Sequence, residues 1–303
     1  MIIVKEIAKK PKKKNIVQMF SVLIMTVACI CIVVLLCDFF DGQKKSRILE
    51  EKTAIDGPIQ ILVLGDSIWD LERGEDGIAK LLETELNGQA VVHNLAIKGS
   101  RSAAVAECIT GDATQVTPEK QQENRICLYS MVQYLVGDVP CDIPKEYEAA
   151  GLISEVDIKE MNYLILAYGL NDYFGAVRQK NLENGYDPTT YAGSMCASIK
   201  RLKEINPELE VIVVSPTYCQ GYSYGQVIHE STSHDYGSGT GYDYALTAKE
   251  VAASFDAVFV NNYEDLGISI HNGAEYLVDA THLSESGRRL YAKNLAKYLV
   301  NHI

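Results

Sequence analysis

Apolar positions along the chain fall into two kinds of run, and each predicts a different element. From Ile16 to Cys37, 22 consecutive residues carry no charged side chain. At the helical rise such a run spans about 33 Å, enough to cross the hydrocarbon core of a bilayer. The later runs are short. Ile59-Gln60-Ile61-Leu62-Val63-Leu64 ends at Gly65, the pattern of a strand buried on both faces. Val91–Ala96, Tyr163–Ala167, Val211–Ser215 and Ala257–Val260 predict four more strands. Between them the spacing turns helical. Ile78, Leu81, Leu82 and Leu86 share one face of a helix over Asp76–Leu86, which Asn87-Gly88 stops. Further helical stretches fall at roughly 101–108, 120–136, 188–205 and 242–254, and over Ser284–His302. Strands alternating with helices predict one α/β domain with a parallel sheet covered on both faces. In such sheets ligands sit outside the carboxyl ends of the strands.

Charge orients the first run. Residues 1–15 hold six lysines and one glutamate, +5, whereas the remainder holds 22 basic and 39 acidic side chains, −17. Lysines just before an apolar span place that end in the cytoplasm and the rest outside. A cleavable signal peptide is the rival, but the run is longer than a signal core and no small-x-small site follows. The expected order is a cytoplasmic tail (1–15), a transmembrane anchor (16–37), a polar tether (38–57) and a catalytic domain (58–303). A domain this acidic repels phosphate backbones, which argues against a nucleic-acid partner. The cysteines show no Cys-x-x-Cys spacing and no histidine at zinc-finger distance, so neither metal nor cofactor is expected. Most read as small buried hydrophobes, with a Cys127–Cys141 disulfide left open.

The predicted strand ends carry a set of polar motifs. The first strand runs into Gly65-Asp66-Ser67-Ile68. The second is followed by Asn94-Leu95-Ala96-Ile97-Lys98-Gly99-Ser100, and the third by Gly169-Leu170-Asn171-Asp172. Asp279-Ala280-Thr281-His282 precedes the last helix. Each alone is weak; their joint occurrence in this order is the strong signal.

In these blocks the sequence resembles the SGNH/GDSL hydrolase family over roughly residues 59–302. The resemblance implies a three-layer α/β/α, flavodoxin-like domain with about five parallel strands, and ester hydrolysis or acyl transfer. It assigns Ser67 as nucleophile, His282 as base with Asp279 beside it, and Ser67, Gly99 and Asn171 as oxyanion donors. Block one departs from the common pattern at Ile68-Trp69, and block two has Ala96 where glycine is common; both bear on substrate rather than chemistry. Elementary chemistry runs parallel. A serine hydroxyl needs a base, imidazole is the usual one near neutrality, and a carboxylate fixes its tautomer.

Other readings stay open for several residues. Ser67 could cap a helix, and Asp279 could start the last one, although Ser284 is the better cap. Asp66 and Asp172 stand as candidates near the substrate, with ordering of their own loops as the alternative. His93, His229, His234, His271 and His302 have no comparable setting. Residues 218–244 read as a long loop with six tyrosines, of which Tyr218, Tyr222 and Tyr224 are candidate sugar contacts. The expected function is an extracytoplasmic serine esterase removing short acyl groups from carbohydrate. An O-acyltransferase, a lipase or thioesterase, and a tethered binding module that has lost catalysis are the alternatives.

Overall fold

In a computed structural model the described residues are 57–104 and 126–300. The tail and anchor expected over 1–37 lie outside them, as does the 38–57 tether except for Gly57. Among the described residues no helix is long and apolar enough to cross a membrane.

Five strands form the expected parallel sheet: β1 (Ile59–Gly65), β2 (Ala90–Asn94), β3 (Tyr163–Ala167), β4 (Glu210–Val214) and β7 (Val258–Val260). Their order is β2-β1-β3-β4-β7. The apolar runs map onto it directly. Ile61–Leu64 of β1 are wholly buried and all five residues of β3 are buried, as central strands require. Edge strand β2 buries only its two ends.

Helices cover both faces, giving three layers. On one face α2 (Ile78–Glu85) packs against the last helix, α10 (Glu285–Val300). On the other, α3 (Leu128–Leu135) packs on α6 (Tyr191–Ile205), which also meets α7 (Gly241–Ser254). Their starts follow local chemistry. Thr190 accepts from the Gly193 N–H, and Thr240 forms a capping box with Asp243. Short helices α1 (Ser67–Asp70), α4 (Glu148–Leu152), α5 (Leu170–Phe174), α8 (Asn262–Asp265) and α9 (Gly273–Tyr276) fill the connections.

Three expectations change. Residues 101–104 are bent rather than helical, because the Asp172 carboxylate takes the Ser102 and Ala103 N–H groups at 2.8 and 2.9 Å; 105–108 lie outside the described residues. Of the helix expected over 120–136, residues 120–125 lie outside the described residues, 126–127 are not helical, and the helix runs from Leu128 to Leu135 with Cys127 capping it in an extended conformation. The 218–244 loop contains an antiparallel hairpin, β5 (Gln220–Ser223) and β6 (Gln226–Glu230). Its two-residue turn, Tyr224-Gly225, has positive φ at both positions (48° and 77°), matching the twist of the strands. These strands are polar and short, so no alternation announced them. Cys127 and Cys141 are both free thiols, which closes the disulfide question for that pair.

Candidate active site

The chain reverses direction across the sheet at β1: β2 lies on one side and β3 on the other. The crevice at such a switch point is where open α/β sheets bind ligands. Ser67 follows β1 there, Gly99 follows β2 and Asn171 follows β3. Register aligns the ends, since Gly65 pairs with Ala167. Gly169, with φ 138°, tolerates no side chain, because a Cβ would lie 2.8 Å from the Tyr191 hydroxyl.

Ser67 opens the four-residue α1, but it does not cap it. Asp66 does, accepting from the Ile68 N–H at 3.0 Å. The serine hydroxyl is therefore left for His282, whose Nε2 lies 3.0 Å away across 215 residues of sequence. The other ring nitrogen, Nδ1, is 2.7 Å from Asp279 Oδ2. Asp279 Oδ1 accepts the Thr281 and His282 N–H groups, each at 2.7 Å. Burial works to raise the Asp279 carboxyl, but the bonds from His282 and the loop amides outweigh it and hold it below the usual carboxylate range. Ser284, not Asp279, caps α10 through the Gly287 N–H. The loop is closed at its base by the Val278 N–H donating to the His282 carbonyl at 2.9 Å. Serine, imidazole and carboxylate thus form one hydrogen-bonded row, the arrangement that lets a hydroxyl lose its proton as it attacks.

Gly99 adopts φ 78°, and the space where a side chain would stand is open. The Asn171 amide donates to the Ser100 carbonyl at 2.8 Å, which ties the third strand's loop to the second's. Asp66 and Asp172 are both buried and committed to backbone amides. Burial pushes Asp66 up to about 7, with the nearby Asp172 adding to it and the Ile68 amide opposing it. Burial likewise lifts Asp172 to about 6 against the Ala103 and Ser102 amides and the Arg101 charge. Both occupy the place of loop-ordering groups.

The tyrosines are dispersed. Tyr218 is buried with its hydroxyl on Glu230, Tyr222 bonds Gln220, and Tyr224 stands fully exposed at the hairpin tip. The hairpin still touches the site, because the Gln220 N–H donates to the Ala280 carbonyl at 2.7 Å, inside the Asp279–His282 loop. His93 bonds Gln60, and His234 stacks on His229 with ring centroids 3.8 Å apart. His302 lies outside the described residues.

Phe174, Asp70 and Arg73 were not singled out in the sequence, and Tyr236 was counted there only among the six tyrosines of the 218–244 loop. Phe174 and Tyr236, both half-exposed, pack edge to face at 5.9 Å. Phe174 lies one turn after Asn171 on α5, hence on the same face. Asp70 and Arg73 brace the Gly99 loop; their only sequence signal was an Asp-x-x-Arg spacing that begins three residues after Ser67.

A parallel α/β domain with a Ser–His–Asp row at its strand ends is the architecture of a serine esterase or acylhydrolase. Residues 63–290 match the GDSL-like Lipase/Acylhydrolase family, and the chain belongs to it. No curated protein sequence matches the chain. Among solved structures it is similar to a possible lipase from Chitinophaga pinensis DSM 2588, at 15% identity and TM-score 0.55 over 80% of this chain and 98% of that one. A Lactobacillus plantarum protein matches at 19% identity and TM-score 0.52, covering 82% and 99%. The acetyl xylan esterase AlAXEase matches at 15% and 0.50, covering 79% and 98%. At these identities the likeness shows the fold.

Proposed function

We propose that this chain is a membrane-anchored, extracytoplasmic serine carboxylic-ester hydrolase that removes short acyl groups, O-acetyl above all, from carbohydrate. The observation that carries the chemistry is the Ser67–His282–Asp279 row. Ser67 Oγ attacks the ester carbonyl as its proton passes to His282 Nε2. The negative oxygen of the tetrahedral intermediate is met by the N–H groups of Ser67 and Gly99 and by the Asn171 amide. His282 then returns the proton to the departing alcohol, leaving an acyl-enzyme on Ser67. Water gives its proton to His282 as it attacks the acyl carbon; the second tetrahedral intermediate then collapses, the bond to Ser67 Oγ breaks, and His282 returns the proton to that oxygen as the acid leaves. Asp279 stabilises the imidazolium in both halves.

Two features support the finer reading. The His282 and Asp279 side chains are 29% and 53% exposed, so water reaches the base, which favours hydrolysis over transfer. The Phe174–Tyr236 pair near Asn171 offers flat apolar rings to a sugar. The anchor rests on the uncharged run Ile16–Cys37 behind its lysines.

Hydrolysis of p-nitrophenyl esters of increasing chain length tests this, with Ser67→Ala as control. Acetate turnover that falls at least about 10⁴-fold in the variant is the expected result. A preference for long acyl chains refutes the short-acyl reading, and undiminished turnover in the variant refutes Ser67 as nucleophile.

A further inference from the structure

The loop that ends at Gly99 is bound to the segment that begins at Ser67 by four hydrogen bonds. The Asn94 amide donates to the Trp69 carbonyl at 2.9 Å. Arg73 Nη1 donates to the Asn94 carbonyl at 2.9 Å and Nη2 to the Ala96 carbonyl at 2.6 Å. Asp70 Oδ2 accepts the Lys98 N–H at 2.7 Å, one residue before Gly99. The two side chains are themselves joined, with Arg73 Nε on Asp70 Oδ1 at 2.7 Å, and are only 13% and 10% exposed. Glu148 approaches the same guanidinium at 3.7 Å from α4.

A guanidinium presents its donors in a rigid fork, so two carbonyls bound by one fork cannot move independently. The Gly99 turn itself needs such support. Its glycine sits at positive φ with open space around it, and Lys98 is exposed. On its far side Ser100 is fixed by its hydroxyl on the Ile97 and Gly65 carbonyls and by the Asn171 amide. On its near side Asp70 and Arg73 provide the link, and they belong to the segment that carries Ser67.

We propose that Asp70 and Arg73 are positioning residues that hold the Gly99 N–H in register with Ser67, so that nucleophile and oxyanion donor form one rigid unit. The proposal rests on the reading of Ser67 as nucleophile and Gly99 as oxyanion donor. Neither side chain touches the substrate. Both act through the placement of a donor whose value depends on tenths of an ångström.

The test uses the full chain. Active sites are first titrated with a fluorophosphonate, which forms a phosphorus–oxygen bond to Ser67 Oγ as fluoride leaves. Acetate-ester kcat per titrated site, KM, and the affinity for an alkyl boronic acid, which mimics the tetrahedral intermediate, are then compared for wild type, Arg73→Ala and Arg73→Lys. Arg73→Ala is expected to lower kcat per site by about 10- to 100-fold. KM should stay within about threefold and boronate affinity should fall in parallel with kcat. Arg73→Lys keeps the charge but loses the fork, and should fall between the two; it carries the test if Arg73→Ala does not fold. An unchanged kcat per site, a change confined to KM, or a kcat loss without boronate loss each overturns the proposal. A wild-type chain that does not react with the fluorophosphonate overturns the Ser67 reading instead.

Discussion

Asp66 sits immediately before Ser67, is fully buried, and has its carboxyl raised from 3.8 to about 7, chiefly by loss of solvation. A native-state value above the unfolded one means that the folded protein binds the extra proton. Stability then falls as pH rises between the two values, and the contribution of the proton is complete only below about 4. Three units correspond to about 4 kcal/mol, lost progressively between about pH 4 and 7. Asp66→Asn separates this effect from the helix cap, since an amide oxygen can still accept the Ile68 N–H while carrying no charge at any pH. Urea unfolding can be followed through the single tryptophan, Trp69, which is completely buried two residues from Ser67. At pH 4 the two proteins should differ little. At pH 8 Asp66→Asn should be the more stable by up to about 4 kcal/mol. Asp172, raised to about 6, titrates over part of the same window in both proteins, so the informative quantity is the pH dependence of the difference. An equal stability difference at pH 4 and pH 8 would refute the reasoning, because the buried charge would then have no effect on folding.

Further outcomes follow from the site geometry. Asp279→Asn preserves the shape of the loop but presents a neutral group to His282 Nδ1, and kcat for acetate esters should fall about 10³- to 10⁴-fold with little change in melting temperature. Asn171→Ala removes the side-chain amide proposed as an oxyanion donor and should lower kcat by about 10²- to 10³-fold at similar KM; a loss confined to KM would move Asn171 to substrate binding. Gly99→Ala forces a side chain onto φ 78° in open space, so thermal unfolding should show a loss of about 1–2 kcal/mol from backbone strain alone.

The sequence by itself determined the sheet and which side chains, Ser67, Asp279 and His282, meet in one hydrogen-bonded row. Central strands buried on both faces must be continuous apolar runs, so Ile61–Leu64 and Tyr163–Ala167 were visible without coordinates. The motifs at their ends were equally visible, because chemistry needs particular side chains at the carboxyl edge of the sheet. Other features depended on partners far away in the chain, and local periodicity carries no record of those. The polar hairpin at 220–230 has no alternation to reveal it, and its hold on the His282 loop is a single backbone bond to Ala280. The 101–104 segment lost its helix to a carboxylate about seventy residues distant. Whether Asp66 is charged depends on how completely the packed domain excludes water from it. The brace from Asp70 and Arg73 to the Gly99 loop likewise appears only once β1 and β2 lie side by side, since hydrogen bonds between distant segments exist only where packing brings those segments together.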